Sequence, residues 1–154
     1  MRVLTPACFI LACMIAFTGC TPQAALTPQA AFHDLKNAFR TSDSAALERQ
    51  LSAASVRKVR EMTSLFSKMG DRQLGALAGK FGVAPERLRN LSVRDYCALI
   101  LTLDREKSVI GIATSRAITG IDRNGSRATV RVDNGMELTF IKEGPYWKFD
   151  MAGL

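Results

Sequence analysis

From Thr27 to about Arg105 the apolar residues return every three or four positions, and from Val109 to Met151 they return mostly at every second position. The first spacing keeps one stripe of an α-helix apolar, and the second keeps one face of a β-strand apolar. Thr27 is expected to cap a first helix with Pro28 at its first position, and Ala31, Phe32, Leu35, Ala38 and Phe39 form its stripe up to about Thr41. The polar corner Thr41-Ser42-Asp43-Ser44 opens a second helix with Ala46, Leu47 and Leu51 facing inward. Between Ala54 and Met69 a third helix carries Val56, Val59, Met62, Phe66 and Met69 on one side, with Arg57, Lys58, Arg60 and Lys68 on the others. The Met62, Phe66 and Met69 positions are expected to fill core, because flexible methionine packs irregular gaps.

Further on, Leu74, Leu77, Ala78 and Phe81 mark a helix stopped by Gly82, in which Gly75 and Gly79 are expected at a crowded packing point. Pro85 starts a short helix through Leu91. Ser92 with Asp95 three residues on forms a capping-box pattern, and Val93, Tyr96, Leu99, Ile100 and Leu103 line the next helix, which ends near Arg105. Val109 to Ile121, rich in β-branched residues, reads as a strand bent near Gly111, and Asp122-Arg123-Asn124-Gly125 as a turn. Ala128, Val130 and Val132 share one face of a second strand. Asn134-Gly135 predicts a type I′ hairpin turn, where both central residues need positive φ. Met136, Leu138 and Phe140 follow in a third strand, Glu143-Gly144-Pro145 turns, and Trp147, Phe149 and Met151 share a face of the last. Helices followed by a four-stranded antiparallel meander define an α+β domain.

The N-terminus obeys neither period. Arg2 is followed by an apolar run from Ala7 to Phe17, which falls short of the ~20 residues that span hydrocarbon but suits a signal-peptide core. The segment Phe17-Thr18-Gly19-Cys20 resembles a lipobox, departing from it in having Phe where Leu is usual. The resemblance implies that Cys20 receives diacylglycerol, that the chain is cut before it, and that the new amine is acylated. Residues 1–19 are then a leader, residues 20–27 the lipidated cysteine and tether, and residues 28–154 a single domain with one core. Seven tether residues reach ~23 Å at most, which holds the body close to the bilayer. The alternatives are an ordinary secretory signal or an uncleaved anchor.

The four cysteines fit the lipidation reading. Cys8 and Cys13 leave with the leader and Cys20 is consumed by lipid, so Cys97 remains alone and is expected to be buried beside Ile100. The chain has 154 residues and a formal charge of +7, and loss of the leader removes one arginine and no acid. Such a charge suits anionic partners: lipid headgroups, cell-wall polymers or an acidic protein. Nucleic acid is excluded as a partner by the envelope location.

The helix Phe32, Leu35, Ala38, Phe39 followed by Ser42-Asp43, the run Gly125 to Val132, and the closing Gly144-Pro145-Tyr146-Trp147-Lys148-Phe149 together resemble small lipoproteins of the cystatin-like, or nuclear-transport-factor-2-like, superfamily. The resemblance spans roughly Thr27 to Met151, and it implies a bent antiparallel sheet curled around a long helix with a cone-shaped cavity. The helical stretch from Ala54 to Arg105 is longer than that pattern needs, and no early hairpin separates its helices.

The superfamily includes ketosteroid-isomerase-like enzymes, whose chemistry needs a carboxylate base in an apolar cavity. Asp150 and Glu137 alternate away from the apolar face and are expected in solvent, while Asp95 is accounted for as a cap beside Tyr96. His33, the only histidine, is expected on the solvated face of the first helix, and one histidine with no paired cysteine gives no zinc set. No catalytic residue, metal or cofactor is expected. The chain therefore reads as a membrane-anchored envelope lipoprotein, inner or outer, facing the periplasm or exterior. It is expected to act as a binding or assembly module through its concave sheet, with an envelope protein or small ligand as partner. The alternatives are a cavity isomerase and a structural lipoprotein that engages anionic envelope components through Arg57, Lys58 and Arg60.

Overall fold

A computed structural model describes residues 25–102 and 108–152. Among these residues seven helices come first: α1 (Pro28–Thr41), α2 (Ser44–Gln50), α3 (Ala53–Lys68), α4 (Asp71–Phe81), α5 (Pro85–Arg89), α6 (Val93–Thr102) and α7 (Val109–Ser115). They are followed by β1 (Ile118–Asn124), β2 (Arg127–Val132), β3 (Glu137–Glu143) and β4 (Tyr146–Phe149), antiparallel in the order β1-β2-β3-β4. The molecule is thus an α+β fold, helices first and then an open, curved four-stranded antiparallel sheet.

The helix starts follow local chemistry. Thr27 Oγ1 accepts the Ala30 N–H at 3.1 Å ahead of Pro28, Asp43 Oδ1 accepts that of Ala46 at 2.9 Å, and Ser52 Oγ accepts that of Ser55 at 3.0 Å. Each satisfies a backbone donor that a helix leaves orphaned at its first turn. The Ser92–Asp95 box also forms, with Asp95 N–H on Ser92 Oγ at 3.1 Å and Ser92 N–H on the Asp95 carboxylate at 3.2 Å. The hydrogen bond from Ser92 draws the Asp95 carboxyl below its usual pKa. Leu103 and the helix end at Arg105 lie outside the described residues.

The sheet buries one face. Ala128, Val130, Val132, Leu138, Phe140, Trp147 and Phe149 are buried, and Phe32, Leu35 and Phe39 of α1 share their core, with α7 also packed against α1 and β3. Leu47, Cys97 and Leu101 join this core from α2 and α6. A second group lies among the middle helices, made of Leu74, Ala78, Leu88, Leu91 and Leu99 with Phe66, Met69, Leu77, Phe81 and Tyr96 against it. The single core expected from the sequence is therefore two clusters, linked by α6, which contributes to both.

Three local expectations are corrected. Val109–Ser115 is helical rather than stranded: Ser108 caps it through the Gly111 N–H, and Ile110, Gly111, Ala113 and Thr114 are buried at helical spacing. The first strand starts only at Ile118 and runs on to Asn124, so the turn falls on Gly125-Ser126. The Asn134-Gly135 turn is not type I′, since Gly135 takes φ 82° while Asn134 stays at negative φ. Gly135 N–H bonds to the Val132 carbonyl at 2.9 Å and Val132 N–H to that of Met136 at 3.0 Å, the pattern of a turn closed by a glycine bulge.

Candidate functional site

The N-terminal end of the fold is pinned early. Ala25 is buried, and its carbonyl accepts the Trp147 N–H of β4 at 2.8 Å. The chain thereby covers part of the free edge of β4, and Ser52, whose N–H reaches the Phe149 carbonyl at 2.8 Å, covers the next part. Cys20 lies outside the described residues, and the sequence between it and Ala25 is four residues long, shorter than the tether expected to run through Thr27. Trp147 is buried under the Arg123 guanidinium, which sits 5.1 Å from its ring centre, and its Nε1 has no hydrogen-bond partner among the described residues.

The expected basic trio divides. Arg57, Lys58 and Arg60 are all exposed on α3, but they do not form one patch. Lys58 Nζ donates to the Ala152 carbonyl at 2.9 Å, which ties it to the C-terminal tail. Arg60 instead lines a cleft of about 510 Å³ with Glu48, Thr63, Leu91, Ser92, Val93 and Arg94. There Arg94 Nε pairs with Glu48 at 2.8 Å, so the cleft carries two guanidiniums and one carboxylate beside Leu91 and Val93. Sequence spacing alone gave no reason to bring Arg94 to Arg60, because α3 and α6 meet only through tertiary packing.

The carboxylates weighed for catalysis are occupied structurally. Glu137 is exposed and pairs with Arg131 at 3.0 Å, and Arg131 also reaches Asp122. Asp150 is half-buried rather than solvent-facing: its Oδ1 lies 2.8 Å from Ser52 Oγ and 3.1 Å from Ser55 Oγ, two fully buried hydroxyls. Ser55 Oγ also accepts the Met151 N–H at 2.8 Å, so these groups fasten the start of α3 to the end of the sheet. Asp34, half-buried on α1, has its pKa raised by burial, with His33 and Lys148 acting the other way. His33 is exposed as expected and meets Phe32 edge-on.

Cys97 is buried, and burial pushes its thiol up to about 12, with Glu48 adding and Arg94 opposing. Met62, Phe66 and Met69 are only half-buried, and neighbouring Leu65 is 62% exposed, so the stripe is a partly open face rather than full core. Gly75 and Gly79 are not at a crowded contact either, since an added Cβ would meet nothing within 4 Å at either position. Among the described residues no group of three His, Cys, Asp or Glu could hold a metal, and no helix is long and apolar enough to cross a membrane.

No family model matches the chain, and no curated protein or solved structure compared with it matches.

Proposed function

We propose that the protein is a membrane-anchored lipoprotein of the cell envelope whose folded body is a non-catalytic binding or assembly module. The observation that carries the reading is the position of Cys20, immediately after a short apolar run and five residues before Ala25, the first described residue, whose carbonyl is bonded to the body. Three features support the non-catalytic part. The inner face of the sheet is filled by α1 and α7, Asp150 and Glu137 already have structural partners, and Cys97 is protonated at ordinary pH. A likeness to the cystatin-like superfamily is part of this proposal, supported by the order of a helical region and a curved antiparallel sheet.

Because the inner face is filled, partner binding is assigned to the outside of the helices, where Arg57 and Arg60 are exposed and make no ion pair among the described residues. An acidic envelope polymer or protein is the fitting partner class. Substituting Cys20→Ala should abolish incorporation of labelled palmitate into the protein and leave the leader uncut, with the circular dichroism of the body unchanged. Labelling of the variant to the level of the native chain would contradict the anchor.

A further inference from the structure

Exposed apolar side chains and cations without an acidic partner among the described residues lie beside the Ala25–Trp147 hydrogen bond. Next in sequence to the hydrogen-bonded pair Ala25 and Trp147 are Leu26, 58% exposed, and Tyr146, 40% exposed, the latter on the strand face opposite Trp147. Arg123 covers the Trp147 ring, and Lys142 stands opposite Trp147 in the β3–β4 register. Neither cation has an acidic partner among the described residues. Glu143, the acid adjacent to Lys142 on β3, is held by the Ala53 N–H at 2.7 Å.

We propose that this end of the molecule, presenting Arg123, Lys142, Leu26 and Tyr146, docks onto anionic phospholipid headgroups of the membrane that holds Cys20. The inference rests on the lipid anchor proposed above and adds an orientation to it. Between Cys20 and Ala25 the chain extends about 17 Å at most, so the entry point stays within roughly two screening lengths of the headgroups. A tether that short makes the contact effectively intramolecular, so a few charges suffice where a free protein would need many. Tyr and Leu suit the boundary between headgroup and acyl chain, with lysine and arginine at phosphate level.

Ser52 meets Phe149 and Asp150, Ser55 meets Asp150 and Met151, and Lys58 meets Ala152. Thus α3 starts beside the β3–β4 turn, where the Ala53 N–H meets Glu143, and its later turns run alongside the C-terminal tail. Arg57 and Arg60, on those later turns, are assigned to a partner in the envelope space rather than to the bilayer.

The test uses the mature lipidated protein in vesicles of phosphatidylcholine alone or with phosphatidylglycerol. A donor fluorophore on Ser126→Cys, in the β1–β2 turn, reports energy transfer to a headgroup acceptor; buried Cys97 and lipidated Cys20 do not compete for the label. Transfer should rise on anionic vesicles and fall with added salt. Replacing Arg123→Gln together with Lys142→Gln should lower the docked-to-undocked ratio about 30-fold, whereas Arg123→Lys should keep it. The docking is overturned if transfer ignores lipid charge, or if Arg57→Gln with Arg60→Gln abolishes the rise instead. Failure of the protein to float with neutral vesicles would overturn the anchor and the docking together; flotation with charge-independent transfer overturns the docking alone.

Discussion

Burial decides the chemistry of Cys97. A thiol held at about 12 presents roughly a thousandfold less thiolate near neutrality than one at the ordinary value, and only the thiolate is nucleophilic. In the lipidated protein at pH 8, a thiol reagent should leave Cys97 unmodified until guanidinium unfolds the chain; rapid stoichiometric modification of the folded protein would contradict the burial. The sign of the pH effect follows. The unfolded thiol ionises near 9 while the folded one keeps its proton, so the stability tied to this group is intact below pH 9 and is lost as pH climbs towards 12. Burial raises the Tyr96 phenol as well and works in the same direction. The burial of Cys97 was legible from its place beside Tyr96 and Ile100, although the buried positions of α6 are Cys97, Leu99 and Leu101 rather than the stripe through Tyr96 and Ile100. Asp150 was misread for a reason of geometry. Strand alternation correctly sets it opposite Phe149, but the buried hydroxyls of Ser52 and Ser55 occupy that side, and nothing in the local sequence of β4 announces them.

At the scale of elements, chain-local signals were reliable and packing-dependent ones were not. Thr27-Pro28, Ser92-Asp95 and Gly82 marked real helix ends because capping is settled within four residues. Val109–Ser115 went the other way. Its β-branched residues favour a strand, yet the Ser108 cap and burial of Ile110, Ala113 and Thr114 make it a helix packed against α1 and β3. The Asn-Gly turn was located correctly with the wrong geometry, since Asn134 uses its side chain to accept the Met136 N–H at 3.1 Å while only Gly135 takes positive φ. The glycines of α4 separate these ideas in one experiment. Gly79→Ala should raise stability by about 0.5–1 kcal/mol, because its Cβ enters open space within a helix. Gly82→Ala should lower stability by at least about 1 kcal/mol, because its φ of 64° ends the helix in the left-handed region. Thermal denaturation of both variants checks the opposite signs; a loss at Gly79 would mean that α4 packs more closely than described.

The whole molecule is a sheet-and-helix core joined through α6 to a smaller helical cluster. The order of helices and sheet was readable from the change in hydrophobic period, and so was the class α+β. Division of the interior into two clusters was not, since it depends on which helix stripes meet. The same limit applies to the candidate surfaces. Arg57, Lys58 and Arg60 are neighbours in sequence, but α3 sends Lys58 to Ala152 and Arg60 to the cleft shared with Arg94. Arg123 and Lys142 approach Trp147 only once the strands pair. All of these assignments are organised by one claim, that the N-terminus of the mature chain is a lipidated cysteine close to the folded body. Mass spectrometry of the N-terminal peptide of protein taken from the envelope tests it most directly. The account predicts a chain beginning at Cys20 that carries diacylglycerol and an amide-linked acyl group; an unmodified Cys20, or a chain that keeps the residues before it, would contradict it.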